Sequence, residues 1–294
     1  MSKQFPIVAL TGSSGAGTTE VKRAFEHIFR HVGVTAAVIE GDSFHRYDRA
    51  AMAEVVAQAE EQGENVTHFG PEGNLFVELV DLFREYAQYG TGKRRSYVHT
   101  DAEAERYGHQ SGTFTEWRPL PTTTDLLFYE GLHGGLNSGD FDVASYVDLL
   151  IGVVPIINLE WIQKIHRDRA VRGYSAEETT KHILRRMHDY AHYIVPQFSL
   201  TDVNFQRIPT VDTSNPFATE DIPNETESSV VIHIRNRRKI QADFDYLLDK
   251  LSGAFLSRPD TIVVPGERYV LAMELIVTPI IERIMDAKTG AKET

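Results

Sequence analysis

The sequence predicts a doubly wound α/β domain, in which helices flank a largely parallel β-sheet and a small antiparallel insertion interrupts the order. Three observations lead to this prediction. An apolar segment at 6–12 runs directly into a glycine-rich loop, a helical pattern begins at Thr18, and a second apolar segment at 34–42 completes a strand, helix, strand unit. Such units form parallel sheets with right-handed crossovers.

The first helix is predicted from its apolar face. Val21, Phe25, Ile28 and Phe29 recur at helical spacing, and Gly33 is a typical helix stop. A helix that starts directly after a glycine-rich loop places its N-terminus at that loop. We therefore expect the loop and the first helix turn to act as one unit.

The remaining elements follow from the same kinds of pattern. The second apolar segment predicts a buried strand that ends at Asp42. The pattern from about 50 to 90 is helical and polar, and 95–101 and 112–121 predict short antiparallel strands in an inserted region. Further strands are predicted at 125–130, 147–155, 206–214, 228–236 and 261–266, and further helices at 158–172, from Ser175 to about 194, at 244–255 and at 268–287.

Capping residues mark two helix boundaries. Gly173 stands just past the end of one predicted helix, where glycine is favoured. Ser175 and Glu178 have the spacing of a capping box, so the next helix should begin there.

The composition limits the classes of function. The chain has 294 residues, of which 41% are hydrophobic, and its formal net charge of −12 argues against broad binding to nucleic acid or anionic membranes. It contains no cysteine, which excludes thiolate metal sites, cysteine nucleophiles and disulfide switches. The longest apolar run, at 149–157, is far shorter than the roughly 20 residues of a membrane span, and the start shows no signal pattern. We expect a cytoplasmic protein without membrane or nucleic-acid partners.

The glycine-rich segment GSSGAGTT has the length and glycine placement of a phosphate-binding loop. In the GxxxxGK[ST] template, backbone N–H groups wrap the phosphates, the lysine reaches the β- and γ-phosphates, and the last hydroxyl binds Mg²⁺. Here Thr18 replaces the lysine. A glycine turn that serves only packing is the alternative, but the strand before the loop and the helix after it favour a site for the phosphates of ATP. The candidates are Gly12, Ser13, Ser14, Gly15, Ala16, Gly17, Thr18 and Thr19.

Two acidic residues follow apolar strands and are candidates for chemistry. Glu130 ends one apolar run, where an acid can hold Mg²⁺ directly or through water; an acid that is merely solvated at a strand end is the alternative. Asp42 is followed by His45 and Arg49, and these should face the crevice beyond the carboxyl ends of the strands. An aspartate there can accept the proton of an attacking hydroxyl.

One predicted helix carries a cationic face. At about 100° per residue, Lys164, Arg167 and Asp168 fall within one sector, with Arg172 close to it. The set is either ordinary surface charge, with Asp168 as an i, i+4 partner of Lys164, or a clamp that neutralises phosphate charge during phosphoryl transfer. A looser basic cluster lies at 92–99, and ordinary surface charge is an equal alternative for it.

Six segments together resemble the bacterial form of the phosphoribulokinase family. They are VALTGSSGAGTT, IEGDSFHRYDR, LLFYEGLHGG, VVPIINLEWIQKIHRDRAVRGYS, YIVPQFSLTDVNFQRIPTVDTSNPF and IVVPG, and the resemblance covers nearly the whole chain. It implies one P-loop kinase domain over 1–294, with a P-loop NTPase-like doubly wound mixed β-sheet. It also implies that ATP, with Mg²⁺, phosphorylates D-ribulose 5-phosphate at its 1-hydroxyl to give D-ribulose 1,5-bisphosphate for carbon fixation in the Calvin cycle.

The resemblance implies roles for individual residues. Asp42 would accept the hydroxyl proton, Glu130 and Thr19 would hold the metal, and Lys164 would contact the transferring phosphate with Asp168 beside it. Bacterial members also carry threonine at the lysine position of the loop, so we predict that Lys164 supplies the missing charge. The residues implied for substrate binding are His45, Arg49, Tyr97, His99, Arg167 and Arg172.

The resemblance also implies assembly and regulation. Bacterial members are homo-oligomers, with octamers as one arrangement, that NADH activates and AMP inhibits through arginines at subunit contacts. Arg186 and Arg258 match this pattern, whereas His31 and His233 stand where arginines are expected. A neutral histidine is a poor substitute for a fixed cation, so the sequence leaves allosteric control by NADH open.

Two other functions share part of the pattern. A uridine-kinase-like nucleoside kinase has the same loop, strand-end acid and fold, but it has less need for Arg49 and Arg172 as phosphate holders. A regulatory protein that senses a nucleotide without turning it over would explain the absent lysine, but it has no need for Asp42 or Lys164. Comparing ribulose 5-phosphate with uridine as acceptor, and measuring ADP formation, separates the three.

Overall fold

An eight-stranded β-sheet is the centre of the computed structural model. The structure describes residues 4–12, 18–154, 156–219 and 221–292, and at 18–19, 171–172 and 289–292 it describes the backbone alone. The strands, numbered in chain order, are β1 (Ile7–Gly12), β2 (Ala36–Glu40), β3 (Lys93–Arg94), β4 (Arg118–Pro119), β5 (Leu126–Gly131), β6 (Asn137–Ser138), β7 (Phe141–Asp142), β8 (Leu149–Val154), β9 (Val203–Pro209), β10 (Ser228–Ile234), β11 (Phe255–Arg258) and β12 (Thr261–Pro265). The helices are α1 (Thr18–Val32), α2 (Arg49–Glu61), α3 (Phe76–Tyr89), α4 (Asp101–Tyr107), α5 (Ile157–Arg172), α6 (Ala176–Asp189), α7 (Arg237–Ile240), α8 (Phe244–Lys250) and α9 (Tyr269–Lys292).

The central sheet is mixed. Its order is β11-β12-β10-β9-β8-β1-β5-β2. The five strands from β9 to β2 pair in parallel, and β10, β12 and β11 pair in antiparallel fashion. Because parallel strands all run the same way, five carboxyl ends meet at one edge of the sheet. The predicted mixed α/β sheet is confirmed.

Helices cover both faces of the sheet because side chains alternate between faces along each strand. On β1, Val8 and Leu10 belong to a core that includes residues of α1 and α9. Ile7 and Ala9, on the opposite face, belong to a second core that includes residues of α3. All six residues of β1 are therefore buried. This arrangement confirms the predicted doubly wound class.

Both predicted helix caps are present. Gly173 follows α5 with φ = 71°, a left-handed conformation that favours glycine. Ser175 Oγ accepts from the N–H of Glu178 at 3.1 Å, and a carboxylate oxygen of Glu178 accepts from the N–H of Ser175 at 2.8 Å. The start of α6 is therefore specified by residues within its own first turn.

The predicted antiparallel insertion lies at 93–119, but it has less strand than expected. β3 pairs with β4, and an isolated antiparallel bridge joins Tyr97 to Phe114. Between them lies α4, which the sequence pattern did not predict and which is capped by Thr100. A second short pair, β6 with β7, was also not predicted.

Two strand predictions are wrong in detail. β2 ends at Glu40 rather than at Asp42, because Gly41–Phe44 forms a 3₁₀ turn. β2 is also not fully buried: it is the outermost strand on its side of the sheet, and Val38 is 40% exposed. β9 begins at Val203, before the start predicted at 206.

The long helix predicted near the end of the chain is present as α9, which spans 24 residues. Its buried residues, among them Ala272, Met273 and Val277, pack on the same core as α1. Within the described ranges, no helix combines the length and the apolar character that crossing a membrane requires.

Candidate active site

Four neighbouring parallel strands lead to the predicted site residues at one edge of the sheet. They are β8, β1, β5 and β2. β1 ends at Gly12 before the glycine-rich loop, β5 carries Glu130 next to its last residue, and the turn after β2 holds Asp42. The helix after β8, α5, carries Lys164. Residues far apart in sequence therefore follow neighbouring strands at one edge of the sheet, the place where open α/β sheets bind ligands.

The glycine-rich loop is described only at its two ends. A Cβ at Gly12 would overlap the backbone oxygen of Val153 on β8, so close packing of the strands requires glycine there. Thr18 and Thr19 form the first backbone residues of α1. The free N–H groups of a helix N-terminus favour bound phosphate. The other loop candidates lie outside the described residues: Ser13, Ser14, Gly15, Ala16 and Gly17.

Asp42 lies in the 3₁₀ turn after β2, with histidines beside its carboxylate. His45 Nε2 is 3.3 Å from Asp42 Oδ1, and His99 Nε2 is 3.8 Å from Asp42 Oδ2. The surrounding protein displaces water and would raise the pKa of Asp42. The hydrogen bond and charge of His45, with the charges of His99 and His68, outweigh that effect and hold the pKa well below its usual range. The side chain is 43% accessible, so an incoming hydroxyl can reach an ionised carboxylate.

Asn74 determines which nitrogen of His45 carries a proton. The Nδ2 group of Asn74 donates to the backbone oxygens of His68 and Gly70, at 2.9 and 2.7 Å, so its Oδ1 must accept from His45 Nδ1 at 2.9 Å. His45 Nε2 then faces Asp42 Oδ1 at 3.3 Å, and this contact stabilises the carboxylate in its ionised form.

Arg49, Tyr97 and His99 connect the 3₁₀ turn to the insertion. Arg49 Nη2 donates to the backbone oxygen of His99 at 3.1 Å, and its Nη1 donates to Ser111 Oγ at 3.4 Å. The ring of Tyr97 lies edge-on to His99 and to His45, with centroids 4.8 and 6.5 Å apart. The structure therefore brings four of the predicted substrate-binding residues into one group beside the carboxylate.

A second group lies on α5, whose cationic face the sequence predicts. Lys164 Nζ forms an ion pair with Asp168, which is fully buried, and Arg167 Nε lies 3.5 Å from the other carboxylate oxygen. Burial lowers the pKa of Lys164 to about 8, with the charge of Arg186 on α6 adding to this and Asp168 opposing it. The side chain of Arg172 lies outside the described part of the chain.

Glu130 lies opposite Glu40 on the neighbouring strand. Burial raises the pKa of Glu130 to about 7; the negative charges of Glu40 and Asp42 add to this, and Lys22 opposes it. Crowded carboxylate oxygens are the donors that a hard divalent cation prefers, and Mg²⁺ needs only one or two of them because water and phosphate oxygens complete its shell. This strand end therefore fits a magnesium ion.

Sequence reasoning missed a buried histidine near the site. His133, in the segment after β5, is 3% exposed, and its Nε2 donates to the backbone oxygen of Phe69 at 3.0 Å. Burial lowers its pKa to about 4, so the ring is neutral at pH 7. An isolated histidine carries no sequence pattern that predicts a buried, neutral ring.

Gln197 is a second missed residue, and it joins three segments around the loop. Its Oε1 accepts from Thr11 Oγ1 at 2.8 Å and from the N–H of Gly135 at 2.9 Å. Its Nε2 donates to the backbone oxygens of Leu132 and Tyr193, at 2.8 and 2.6 Å. This buried amide uses both its donors and its acceptor to fix the entrance of the glycine-rich loop.

The residues predicted for regulation belong to different parts of the fold. Arg186 lies on α6, where its charge acts on Lys164. Arg258 is exposed on β11, the outermost strand on the far side of the sheet. His233 lies on β10, with Nε2 3.6 Å from Asp260 Oδ2.

Comparison with known proteins decides the family. The model of the phosphoribulokinase / uridine kinase family matches residues 7–214, a range that includes both groups of candidate site residues. The chain belongs to this family. The family model covers the glycine-rich loop, the strand-end acid and the cations of α5.

Individual relatives narrow the assignment within the phosphoribulokinase / uridine kinase family. The chromosomal phosphoribulokinase of Cupriavidus necator is 58% identical over 294 residues, which is 100% of both chains. Phosphoribulokinase 1 of Cereibacter sphaeroides is 54% identical over 286 residues, 97% of this chain and 98% of the relative. The solved structure of phosphoribulokinase from Rhodobacter spheroides matches with a TM-score of 0.90 at 50% identity, covering 98% of this chain and 100% of that one.

These similarities confirm the resemblance predicted from the sequence. The chain is a kinase of the phosphoribulokinase type, a phosphotransferase, with the fold of that enzyme. As in kinases generally, its phosphoryl donor is ATP with a divalent metal ion.

Proposed function

We propose that the protein transfers the γ-phosphoryl group of ATP to the 1-hydroxyl of D-ribulose 5-phosphate, which gives D-ribulose 1,5-bisphosphate and ADP in the Calvin cycle. The observation that carries this proposal is the group around Asp42, an ionised and accessible carboxylate at the edge where the glycine-rich loop begins. Similarity to phosphoribulokinases along the full chain supports the choice of acceptor. In this proposal 1–294 acts as one kinase domain.

Asp42 accepts the proton of the 1-hydroxyl. Its low pKa keeps the carboxylate ionised, and phosphoryl transfer mainly requires that the hydroxyl be oriented toward the phosphorus. His45, with Nε2 3.3 Å from Asp42 Oδ1, holds the carboxylate in place from one side. The other residues that would hold the sugar phosphate are Arg49, Tyr97, His99, Arg167 and Arg172.

Lys164 supplies the charge that the loop lacks at Thr18. A cation about 4 Å from a phosphate oxygen contributes about 4 kcal/mol at an effective dielectric of 20, before desolvation. With a pKa of about 8, Lys164 is mostly charged at pH 7. Asp168 orients its ammonium through their ion pair. The loop amides and the N-terminus of α1 hold the rest of the nucleotide phosphates.

Glu130 and Thr19 are the residues that would hold Mg²⁺. When bound, Mg²⁺ would neutralise charge on the β- and γ-phosphates of ATP. Glu130 suits this place because its environment already contains excess negative charge, which a cation relieves. Glu40 and Asp42 supply that charge without being assigned as ligands.

We further propose a cytoplasmic homo-oligomer, with an octamer as one arrangement, and NADH as an allosteric activator that acts through Arg186 and Arg258. The edge strand β11 supports assembly, because Phe255 and Leu256 are 55% and 41% exposed and an apolar strand edge is usually covered. Sedimentation of the purified protein tests the assembly, and turnover with added NADH or AMP tests the regulation.

Steady-state turnover with ATP and Mg²⁺ tests the proposed reaction, with ribulose 5-phosphate and uridine as separate acceptors. We expect ribulose 1,5-bisphosphate and no uridine monophosphate. Asp42→Ala should lower kcat by about 10²–10⁴-fold, the range for loss of a general base, with an unchanged melting temperature. Asp140→Ala, at an exposed turn between β6 and β7, is the matched control and should keep the wild-type kcat.

Each arm of the assay can contradict a different part of the proposal. Near-normal turnover by Asp42→Ala would exclude Asp42 as the base. Preferential turnover of uridine would exclude the assigned acceptor. ADP formation at background with both acceptors would exclude the kinase reaction itself.

A further inference from the structure

Arg95, in the insertion, holds the turn that carries the proposed base. Its Nε donates to the backbone oxygen of Ser43 at 2.7 Å, and its Nη2 donates to that of His45 at 2.6 Å. The backbone oxygen between them, on Phe44, accepts from the N–H of Leu75 at 2.8 Å. Three successive carbonyls are therefore bonded from outside the turn, two of them by one guanidinium. Ser43 and Phe44 are buried, so a lost bond there could not be replaced by water without cost.

Two aromatic rings orient the guanidinium of Arg95. Its Cζ lies 3.7 Å from the ring centroid of Phe114 and 4.8 Å from that of Trp117. Trp117 also packs edge-on against Phe44, with centroids 5.5 Å apart. A planar guanidinium can stack on aromatic rings and donate two hydrogen bonds at once, which an ammonium group cannot do. The contact therefore requires arginine, and both rings belong to the insertion.

The turn depends on such outside contacts because it has little structure of its own. Gly41–Phe44 is a single 3₁₀ turn, and its N-cap residue, Glu40, makes no side-chain capping bond. Asp42 lies within this turn and His45 directly follows it. A misplacement of about 1 Å of a catalytic group can cost about 10²-fold in rate.

We propose that Arg95 is a positioning residue for phosphoryl transfer, which fixes the turn so that Asp42 and His45 face the groups supplied by the insertion. Tyr97 and His99 lie on the same segment as Arg95. One guanidinium therefore links the base side of the site to the substrate side, and the two sides hold a constant relative position. This inference rests on the proposed role of Asp42 as the base.

Kinetics of Arg95→Ala test the inference, with Arg94→Ala as the matched control. Arg94 is the preceding residue, and its Nη1 donates to the backbone oxygen of Val38 on β2 at 3.3 Å, away from the turn. We expect kcat to fall by about 10²-fold in Arg95→Ala, with the KM for ATP unchanged, and to stay at the wild-type value in Arg94→Ala. Arg95→Lys should also lower kcat, by about tenfold, because one ammonium group cannot stack on the rings and donate both hydrogen bonds as the guanidinium does.

Added guanidinium distinguishes positioning from general stabilisation. At concentrations far below those that unfold proteins, guanidinium should enter the space between the two rings of Arg95→Ala and raise kcat about tenfold. Arg94→Ala and Asp42→Ala should not respond. Hydrogen exchange at the amides of 41–47 should be faster in Arg95→Ala than in the wild type, and slower again with guanidinium.

Three results would overturn the inference: kcat within about twofold of the wild type in folded Arg95→Ala, an equal loss in Arg94→Ala, or a loss that guanidinium does not reverse. If Arg95→Ala does not fold, wild-type kcat in Arg95→Lys overturns the inference, and impaired kcat at an unchanged melting temperature supports it.

Asp42→Ala, measured in parallel, separates the positioning role of Arg95 from the proposed role of Asp42 as the base. An active Asp42→Ala rejects the base, whereas an inactive Asp42→Ala beside an active Arg95→Ala rejects only the positioning role.

Discussion

The two halves of the central sheet differ in strand direction and in chemistry. In the parallel half, β2, β5, β1 and β8 each lead to a candidate site residue at the same edge. The antiparallel half, β10, β12 and β11, carries none of the predicted catalytic or substrate-binding residues. Antiparallel neighbours end at opposite edges, so the carboxyl ends of β10, β12 and β11 are divided between the two edges. In the parallel half, strand direction instead brings the candidate site residues to one edge.

The halves also differ in how their strands are buried. β1 is buried on both faces, whereas β10 alternates, with Val230, Ile232 and Ile234 buried and the residues between them partly exposed. The parallel half can therefore carry functional groups beyond its strand ends without weakening its core. Variants at those ends should change catalysis more than stability, and variants in the antiparallel core should do the reverse.

The largest expected effect is on catalysis, at the end of the parallel half. Lys164→Met should lower kcat by about 10³-fold, since it removes the cation proposed to replace the loop lysine. The KM for each substrate should change little. The rates are calculated per folded molecule, because the substitution removes a cation from buried Asp168 and can therefore lower the fraction of protein that is folded. Lys181→Met, on the exposed face of α6, is the control. A loss of less than tenfold in Lys164→Met would contradict the proposal that Lys164 supplies the charge missing from the loop at Thr18.

The antiparallel half should show the opposite effect. Ile232→Ala removes a fully buried side chain of β10 and should lower the free energy of unfolding by about 3 kcal/mol. Val231→Ala, on the partly exposed face of the same strand, should cost less than about 1 kcal/mol. Urea unfolding measures both. The kcat of folded Ile232→Ala should equal that of the wild type, and a selective loss of kcat would mean that this half also shapes the site.

A pH effect tests the burial of the parallel half. His133 has a pKa of about 4 in the folded protein, below the ordinary value of 6.5. The unfolded chain therefore binds a proton first as the pH falls, and stability is lost between pH 6.5 and about 4. This amounts to about 2 kcal/mol between pH 7 and pH 5. His133→Gln should remove that part of the pH dependence in urea unfolding. An identical pH slope would mean that His133 binds its proton equally well in the folded and unfolded states.

The smallest expected effect concerns the N-terminal cap of α6, a helix that belongs to neither half of the sheet. Ser175→Ala removes one side of the capping box of α6 and should lower the free energy of unfolding by about 1 kcal/mol. The kcat should not change, although α6 carries Arg186. A decrease in kcat larger than twofold would show that the start of α6 positions the cations of the site. Thermal melting and turnover of one sample decide between the two.

The sequence alone predicted the elements whose signals are local. The apolar run of β1, the helical spacing of α1 and the capping residues Gly173, Ser175 and Glu178 each specify a boundary within a few neighbouring residues. The end of β2 was predicted two residues too late. The 3₁₀ turn there is bonded to Arg95 and Leu75, whose approach a local pattern does not contain.

Sequence by itself determined the alternating order of strands and helices, the glycine-rich loop without its lysine, and the acids and cations available at the strand ends. Only the tertiary structure decided how they act on one another. Asn74, 29 residues from His45 in sequence, determines that the Nδ1 atom of this histidine carries a proton. Arg95, 50 residues from His45, donates a hydrogen bond to its backbone oxygen. Periodicity and capping act over a few residues, whereas the pKa of a carboxylate and the position of a base depend on groups that only the folded path of the chain brings together.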